Sequence, residues 1–322
     1  MNYFVTGGTG FIGAYLVRDL LQDGHNVTVY DLSPNREHLE DVAGEAASGV
    51  EIVGGDVTDL PLLLRTMQRA APQRVVHLAA TLGAGSDQNP MRTLKINCEG
   101  TLNVWEAALA TGVEKVVWAS SIAVFGPTDE REKPIRNDAD HRPARLYGAC
   151  KSLIERFGEH YRETRGLDGV GLRFTVVYGY GKALTVPRGS GGDYLLQIID
   201  RPALGEPAVV PHGDGNVDLL YVEDAARALV LASETPKNPS IGLTICGANT
   251  TFRDAASVVQ RLLPAADIKV LPGLRSGRGG SGGYDGSTTL DEIGYSPDFS
   301  LEEGLRRNID MLRAKHGLMP IG

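Results

Sequence analysis

The glycines at positions 7, 10 and 13 constrain this chain's fold more than any other feature. Asn2-Tyr3-Phe4-Val5-Thr6 is rich in strand formers and runs straight into Gly7-Gly8-Thr9-Gly10-Phe11-Ile12-Gly13. The G-x-x-G-x-x-G spacing opens onto residues 14–21, whose apolar side chains recur at helical spacing until Gly24. Strand, glycine turn and helix, in that order, are the context a dinucleotide-binding turn requires. Glycines let the backbone approach a pyrophosphate, and the helix N-terminus offers it unpaired N–H groups. Gly7, Gly10, Phe11, Ile12 and Gly13 are therefore candidate cofactor contacts.

A second strand, residues 26–30, closes on Asp31. A carboxylate about twenty residues past the glycines accepts from both ribose hydroxyls of NAD and repels a 2′-phosphate. NAD is the expected cofactor, with NADP left open by Arg36 close behind. Strands continue at 51–53, 74–80, 115–119 and 170–174, separated by helices at 60–70 and 90–111. Apolar strands alternating with helices predict an α/β fold, a Rossmann-like doubly wound parallel sheet. Past Tyr178 glycine and proline become frequent, and residues 273–286 read as a mobile loop. Residues 1–178 are expected to form the NAD-binding part, with 214–248 returning to it, and 179–322 an interleaved, smaller substrate-binding domain. A last amphipathic helix covers 301–314.

The chemistry is expected at Tyr147 and Lys151, four residues apart and so on one face of a helix. A free tyrosine titrates near pH 10, too high for a base at neutral pH, and a nearby ammonium favours the phenolate. Such a base takes an alcohol's proton while the C–H hydride leaves for a nicotinamide.

Composition narrows the partners. Net charge is −8, the isoelectric point about 5.4, and no basic run is present, so neither nucleic acid nor acidic membrane is expected. No signal-peptide pattern or transmembrane-length apolar stretch appears. The three cysteines, Cys98, Cys150 and Cys246, make no C-x-x-C pair, which suits reduced thiols and a cytoplasmic location. The seven histidines show no ligand spacing, so no metal is expected, and His77 reads as a core or turn residue.

Taken together these features resemble the extended short-chain dehydrogenase/reductases, specifically the NAD-dependent sugar epimerase/dehydratase group. The resemblance spans essentially the whole chain. It rests on residues 6–13, Gly55-Asp56-Val57-Thr58-Asp59, His77-Leu78-Ala79-Ala80 and Asn97-Cys98-Glu99-Gly100-Thr101. It continues through 120–126, Tyr147–Lys151, Leu172-Arg173 with Val177-Tyr178-Gly179, Tyr221-Val222-Glu223-Asp224 and 300–304. It implies Ser121 as the hydroxyl that bonds the reacting oxygen, Tyr147 as general base, and Lys151 as the residue that binds the nicotinamide ribose and lowers the tyrosine's pKa. It implies cofactor contacts at Asp56, Val57, Leu78, Ala79 and Ala80, a structural or water-relay role for Asn97, and a homodimer built on helices around 90–111 and 147–164. A small-molecule substrate is implied, with Leu82, Ser121, Val176, Arg188 and Arg275 as candidate contacts.

Departures from the family pattern bear on the substrate. Where nucleotide-sugar members carry an asparagine after Leu-Arg, this chain has Val176; where they carry an arginine before the aspartate of R-D-x-x-Y-V-x-D, it has Val217. Two valines remove charge-assisted bonds to a phosphate. Arg188, Arg275 and Arg278, in glycine-rich stretches, are alternative anion contacts or solvated loop charges. Dehydratases follow their catalytic hydroxyl with Asp-Glu; here Ile122-Ala123 stand there, against dehydration. The sequence therefore favours net oxidation or reduction of a small polyhydroxylated or acidic alcohol, with a (nucleotide-)sugar epimerase as the alternative. An NAD-binding sensor or scaffold is the non-enzymatic alternative.

Overall fold

The computed structural model describes residues 1–127, 134–185, 193–236, 238–274 and 283–321. Strands β1 (Asn2–Thr6), β2 (Asn26–Asp31), β3 (Glu51–Gly54), β4 (Arg74–His77), β5 (Lys115–Ser121), β6 (Gly169–Phe174) and β10 (Gly242–Ile245) form one seven-stranded sheet. Its order is β3-β2-β1-β4-β5-β6-β10, and every pairing is parallel. Helices α1 (Phe11–Gln22), α2 (Arg36–Ala43), α3 (Leu60–Ala70), α4 (Gly83–Gln88), α5 (Pro90–Leu94), α6 (Gly100–Thr111) and α7 (Leu146–Arg165) precede or separate those strands along the chain. This is the Rossmann-like, doubly wound architecture expected from the alternation.

Period-two alternation puts neighbouring strand residues into opposite layers. Val5, Val76 and Val117 join one core, while Phe4, Val75, Val116 and Trp118 join the other with Trp105 of α6. Burial on both faces explains why the strands read as continuous apolar runs.

The chain order reverses between β1 and β4, which opens a crevice at the carboxyl ends of the strands. Strand β4 stops at His77, short of the expected 74–80, so Leu78, Ala79 and Ala80 leave the sheet as the crevice rim. The helix expected over 90–111 is interrupted by a π turn, Lys95–Glu99. Such turns often mark functional sites.

Past β6 a smaller sheet forms from β7 (Val176–Tyr178), β9 (Asn216–Tyr221) and β11 (Ala248–Thr251), with β9 at its centre. Of the 214–248 stretch, β9 thus lies in the small sheet and β10 in the large one. Strands β8 (Ala208–Val210) and β12 (Ile268–Val270) pair separately. The C-terminal helix Leu301–Lys315 begins with a capping box between Ser300 and Glu303. Most of the glycine-rich stretch 273–286, read as a mobile loop, falls outside the described residues, as do Arg188, Arg275 and Arg278.

Candidate active site

The first βα turn is packed too closely for side chains. A β-carbon on Gly13 would lie 2.2 Å from the Gly7 carbonyl oxygen, and one on Gly7, at φ +70°, 2.9 Å from the Ala79 nitrogen. The turn after β1 and the rim after β4 therefore meet backbone to backbone. Gly10 caps α1 without a side-chain hydrogen bond. The first amides of a helix have no acceptor within the helix, so those of Phe11, Ile12 and Gly13 suit a pyrophosphate.

Asp31 ends β2 facing this turn. The Thr9 amide and hydroxyl donate to its Oδ2 at 3.2 and 2.7 Å, and the Ser33 amide to its Oδ1 at 3.2 Å. Thr9 thus aims the carboxylate, a role the glycine pattern did not reveal. Asp56 follows β3; its Oδ1 accepts from the Thr58 amide and hydroxyl, both at 2.9 Å, and Tyr30 donates to its carbonyl at 2.9 Å. The next residue, Val57, is buried, and Asn103 of α6 donates to its carbonyl at 3.1 Å. These features make a cradle with an adenosine side and a pyrophosphate side, and a dinucleotide such as NAD fits it.

Asn97 lies in the π turn, fully buried, with both ends of its amide held by Thr81. Its Oδ1 accepts from the Thr81 amide at 2.8 Å, and its Nδ2 donates to the Thr81 carbonyl at 3.0 Å. The extra residue in this turn thus clamps the rim that carries Ala79 and Ala80. Leu82, one residue further along, is exposed.

His77 proves to be a cross-tie. Its Nδ1 meets the Thr6 hydroxyl at 2.7 Å and its Nε2 the Thr101 hydroxyl at 3.0 Å, joining β1, β4 and α6. Burial, with the Lys151 charge adding to it, pulls its pKa down to about 3. The ring is therefore neutral at physiological pH.

Ser121, Tyr147 and Lys151 meet where β5 ends and α7 begins. Gly148 allows the approach, since a β-carbon there would lie 2.4 Å from the Ala123 carbonyl oxygen. The Ser121 hydroxyl accepts from the Ala123 amide at 3.1 Å and acts on the Tyr147 phenol. Lys151 is buried, its ammonium donating to the Ala119 carbonyl at 2.6 Å and lying 5.6 Å from the centre of the Tyr147 ring.

The electrostatics differ in one respect from the sequence expectation. Burial pushes the Tyr147 phenol up to about 12, and the Ser121 hydroxyl acts against it. The ammonium sits toward the ring and is held by Ala119, so its attraction does not set the phenol's pKa in the protein alone. Lys151 itself is pulled down to about 8 by burial, opposed by Cys98, Cys150 and Glu155.

Val176 starts β7 two residues beyond Phe174, the strand partner of Ser121, and is half-buried. Val217, paired with Thr250 in β9, is shut in the core. Asp218 accepts from the Gly247 amide at 2.7 Å and so holds the β9–β11 connection. The described residues include no helix long and apolar enough to cross a membrane.

Comparison with known proteins agrees with this geometry. The chain is 29% identical to the UDP-glucose 4-epimerase of Mycolicibacterium smegmatis over 98% of its own length and 99% of that protein. The Thermus thermophilus UDP-glucose 4-epimerase, solved with NAD, superposes with a TM-score of 0.82 at 28% identity, covering 97% of this chain and 99% of that one. A partial-consensus L-threonine 3-dehydrogenase superposes with a TM-score of 0.84 at 26% identity, covering 98% and 100%. The profile of the NAD-dependent epimerase/dehydratase family matches residues 3–245. With that match on a Rossmann-like fold of the extended short-chain dehydrogenase/reductase type, the chain belongs to the NAD-dependent epimerase/dehydratase family and is an NAD-dependent enzyme.

Proposed function

We propose that this enzyme inverts a secondary alcohol of a sugar, acting as an NAD-dependent epimerase on a nucleotide-linked substrate. The observation that carries this is the Ser121–Tyr147–Lys151 constellation beside the dinucleotide turn, in a chain whose near full-length relatives include UDP-glucose 4-epimerases. The comparisons favour inversion over the net oxidation that the two valines had suggested.

NAD, when bound, would supply the hydride acceptor and later return the hydride. Tyr147 takes the hydroxyl proton and Ser121 holds the reacting oxygen as it becomes a ketone. Lys151 orients the cofactor's ribose and holds positive charge beside the developing phenolate. The ketone then turns over, and Tyr147 returns the proton to the opposite epimer. Ile122 and Ala123 carry no acid or base for water loss.

The second reading is a dehydrogenase of a smaller polyhydroxylated or acidic alcohol. Val176 and Val217 favour it, as does the similarity to an L-threonine 3-dehydrogenase. The homodimer belongs to the same proposal: Met91 and Leu94 on α5 and Leu153 on α7 are exposed on the helices expected to form it, and sedimentation as a monomer would remove it.

The deciding experiment incubates the enzyme and NAD with free sugars, sugar acids, polyols, L-threonine and UDP-sugars. Isomerised product without net NADH supports the epimerase. Stoichiometric NADH supports the dehydrogenase and overturns the first reading.

A further inference from the structure

A buried ionic cluster lies directly behind the catalytic constellation, anchored on Glu155, one helical turn beyond Lys151 on α7. Ser120 of β5 donates to Glu155 Oε1 at 2.5 Å. Arg173 of β6 grips the same carboxylate, its Nε 3.0 Å from Oε1 and its Nη2 2.5 Å from Oε2. His141 closes the cluster, its Nε2 3.1 Å from Arg173 Nη2 and 3.5 Å from Glu155 Oε2. Arg173 Nη1 donates to the Asn137 carbonyl at 2.7 Å. Ser120 and Glu155 are each 2% exposed and Arg173 6%.

Stability alone is a poor reason for such a cluster, because well-packed apolar residues often serve as well as a buried ion pair. Its placement is more informative. Helix α7 is fastened to β5 by two side-chain bonds one turn apart: Lys151 to the Ala119 carbonyl, and Glu155 to the Ser120 hydroxyl. They engage consecutive strand residues, and the next residue is Ser121.

We propose that Glu155 is a positioning residue: through Ser120 and Arg173 it fixes the register of α7 on β5, and hence where Tyr147 stands relative to Ser121. This rests on the reading of Ser121, Tyr147 and Lys151 as the catalytic groups. The groups facing Lys151 are Glu155, Cys150 and the Tyr147 ring from α7, Cys98 from the π turn, the neutral His77 from β4 and the Ala119 carbonyl from β5. Those facing Glu155 are Ser120, Arg173 and His141. Glu155, Cys98 and Cys150 act against the burial that pulls Lys151 down.

The test is a phenolate titration of the NAD-loaded enzyme, read as the ultraviolet difference between each variant and the same variant carrying Tyr147→Phe. Ser120→Ala removes the fastening and leaves the ion pair, so the Tyr147 titration should rise by about one pH unit as Tyr147 shifts relative to Ser121. Glu155→Gln should raise it at least as far. Should Glu155→Gln fold poorly, the paired Glu155→Met, Arg173→Met variant fills the same space with apolar side chains. It should melt near the wild-type temperature yet show the same raised titration. Lower melting temperatures with an unmoved titration in all three backgrounds would assign the cluster a structural role and overturn the proposal. If Tyr147→Phe still turns over a panel substrate, the catalytic reading falls, and this proposal with it. If Tyr147→Phe is inactive and the titration does not move, the positioning role alone fails.

Discussion

The carboxyl end of the large sheet and the small sheet beside it are built under opposite constraints. Around the β1–α1 turn, backbone meets backbone so closely that a β-carbon on Gly13 would sit 2.2 Å from the Gly7 carbonyl oxygen. In the small sheet, Val176 is half-buried and Val217 is shut in the core. The first region admits almost no change, because space there is already used by main chain. In the second, Val217 is packed among core side chains and Val176 stands half-buried at the start of β7. The contrast is between a turn whose shape is set by main-chain approach and a small sheet whose character is set by side chains.

Four substitutions break or sharpen that contrast. Tyr147→Phe removes the base and should lower kcat by about 100- to 10,000-fold while NAD affinity changes little, measured by product formation and cofactor titration. Near-normal turnover would detach the chemistry from the large sheet. Gly13→Ala should abolish tight NAD binding and destabilise the protein by about 1–3 kcal/mol, the usual penalty of overpacking, read by calorimetry and thermal melting. Normal NAD affinity in that variant would mean the turn is less constrained than its distances imply.

Asp31→Ala acts at the rim of the same turn, so its effect should be smaller. NAD should bind about tenfold more weakly, and NADP should improve relative to it, as one charge-assisted bond is lost and one repulsion removed. An unchanged preference between the two cofactors would show that Thr9 orients Asp31 for packing alone. The mildest change is Val176→Asn, at a half-buried position in the small sheet. It should strengthen binding of a UDP-sugar by up to about tenfold, the worth of one good hydrogen bond to a charged group. No gain with any UDP-sugar would favour the smaller, nucleotide-free substrate.

Much of the large sheet was legible because its signals are local. Residues 2–13 carry a strand, a glycine turn and a helix start in consecutive positions, and each follows from near-neighbour sterics. The Tyr147–Lys151 pair was legible for the same reason, since helical spacing alone puts both on one face. The π turn at Lys95–Glu99 was not, because its cause is distant: Asn97 reaches Thr81, sixteen residues back. Glu155 carried a faint signal, four residues past Lys151, but its partners Ser120 and Arg173 come from two strands of the sheet. His77 read as inert and ties two strands to a helix, with partners at Thr6 and Thr101.

By itself the sequence determined the class of fold, the dinucleotide turn and the placing of Tyr147 and Lys151 on one helix face. These depend on spacing within a strand, a turn or a helix, where neighbours along the chain are neighbours in space. Only the tertiary structure decided the surroundings of Ser121, Tyr147 and Lys151. Whether Tyr147 is a phenol held near 12 or a phenolate depends on how deeply it is buried and which way its neighbours point. Lys151 turns to Ala119, Ser121 accepts from the Ala123 amide, and Glu155 pairs with Arg173 behind them. Those directions come from the packing of α7 on β5, between residues far apart in the chain, and desolvation there outweighs what helical spacing alone implied.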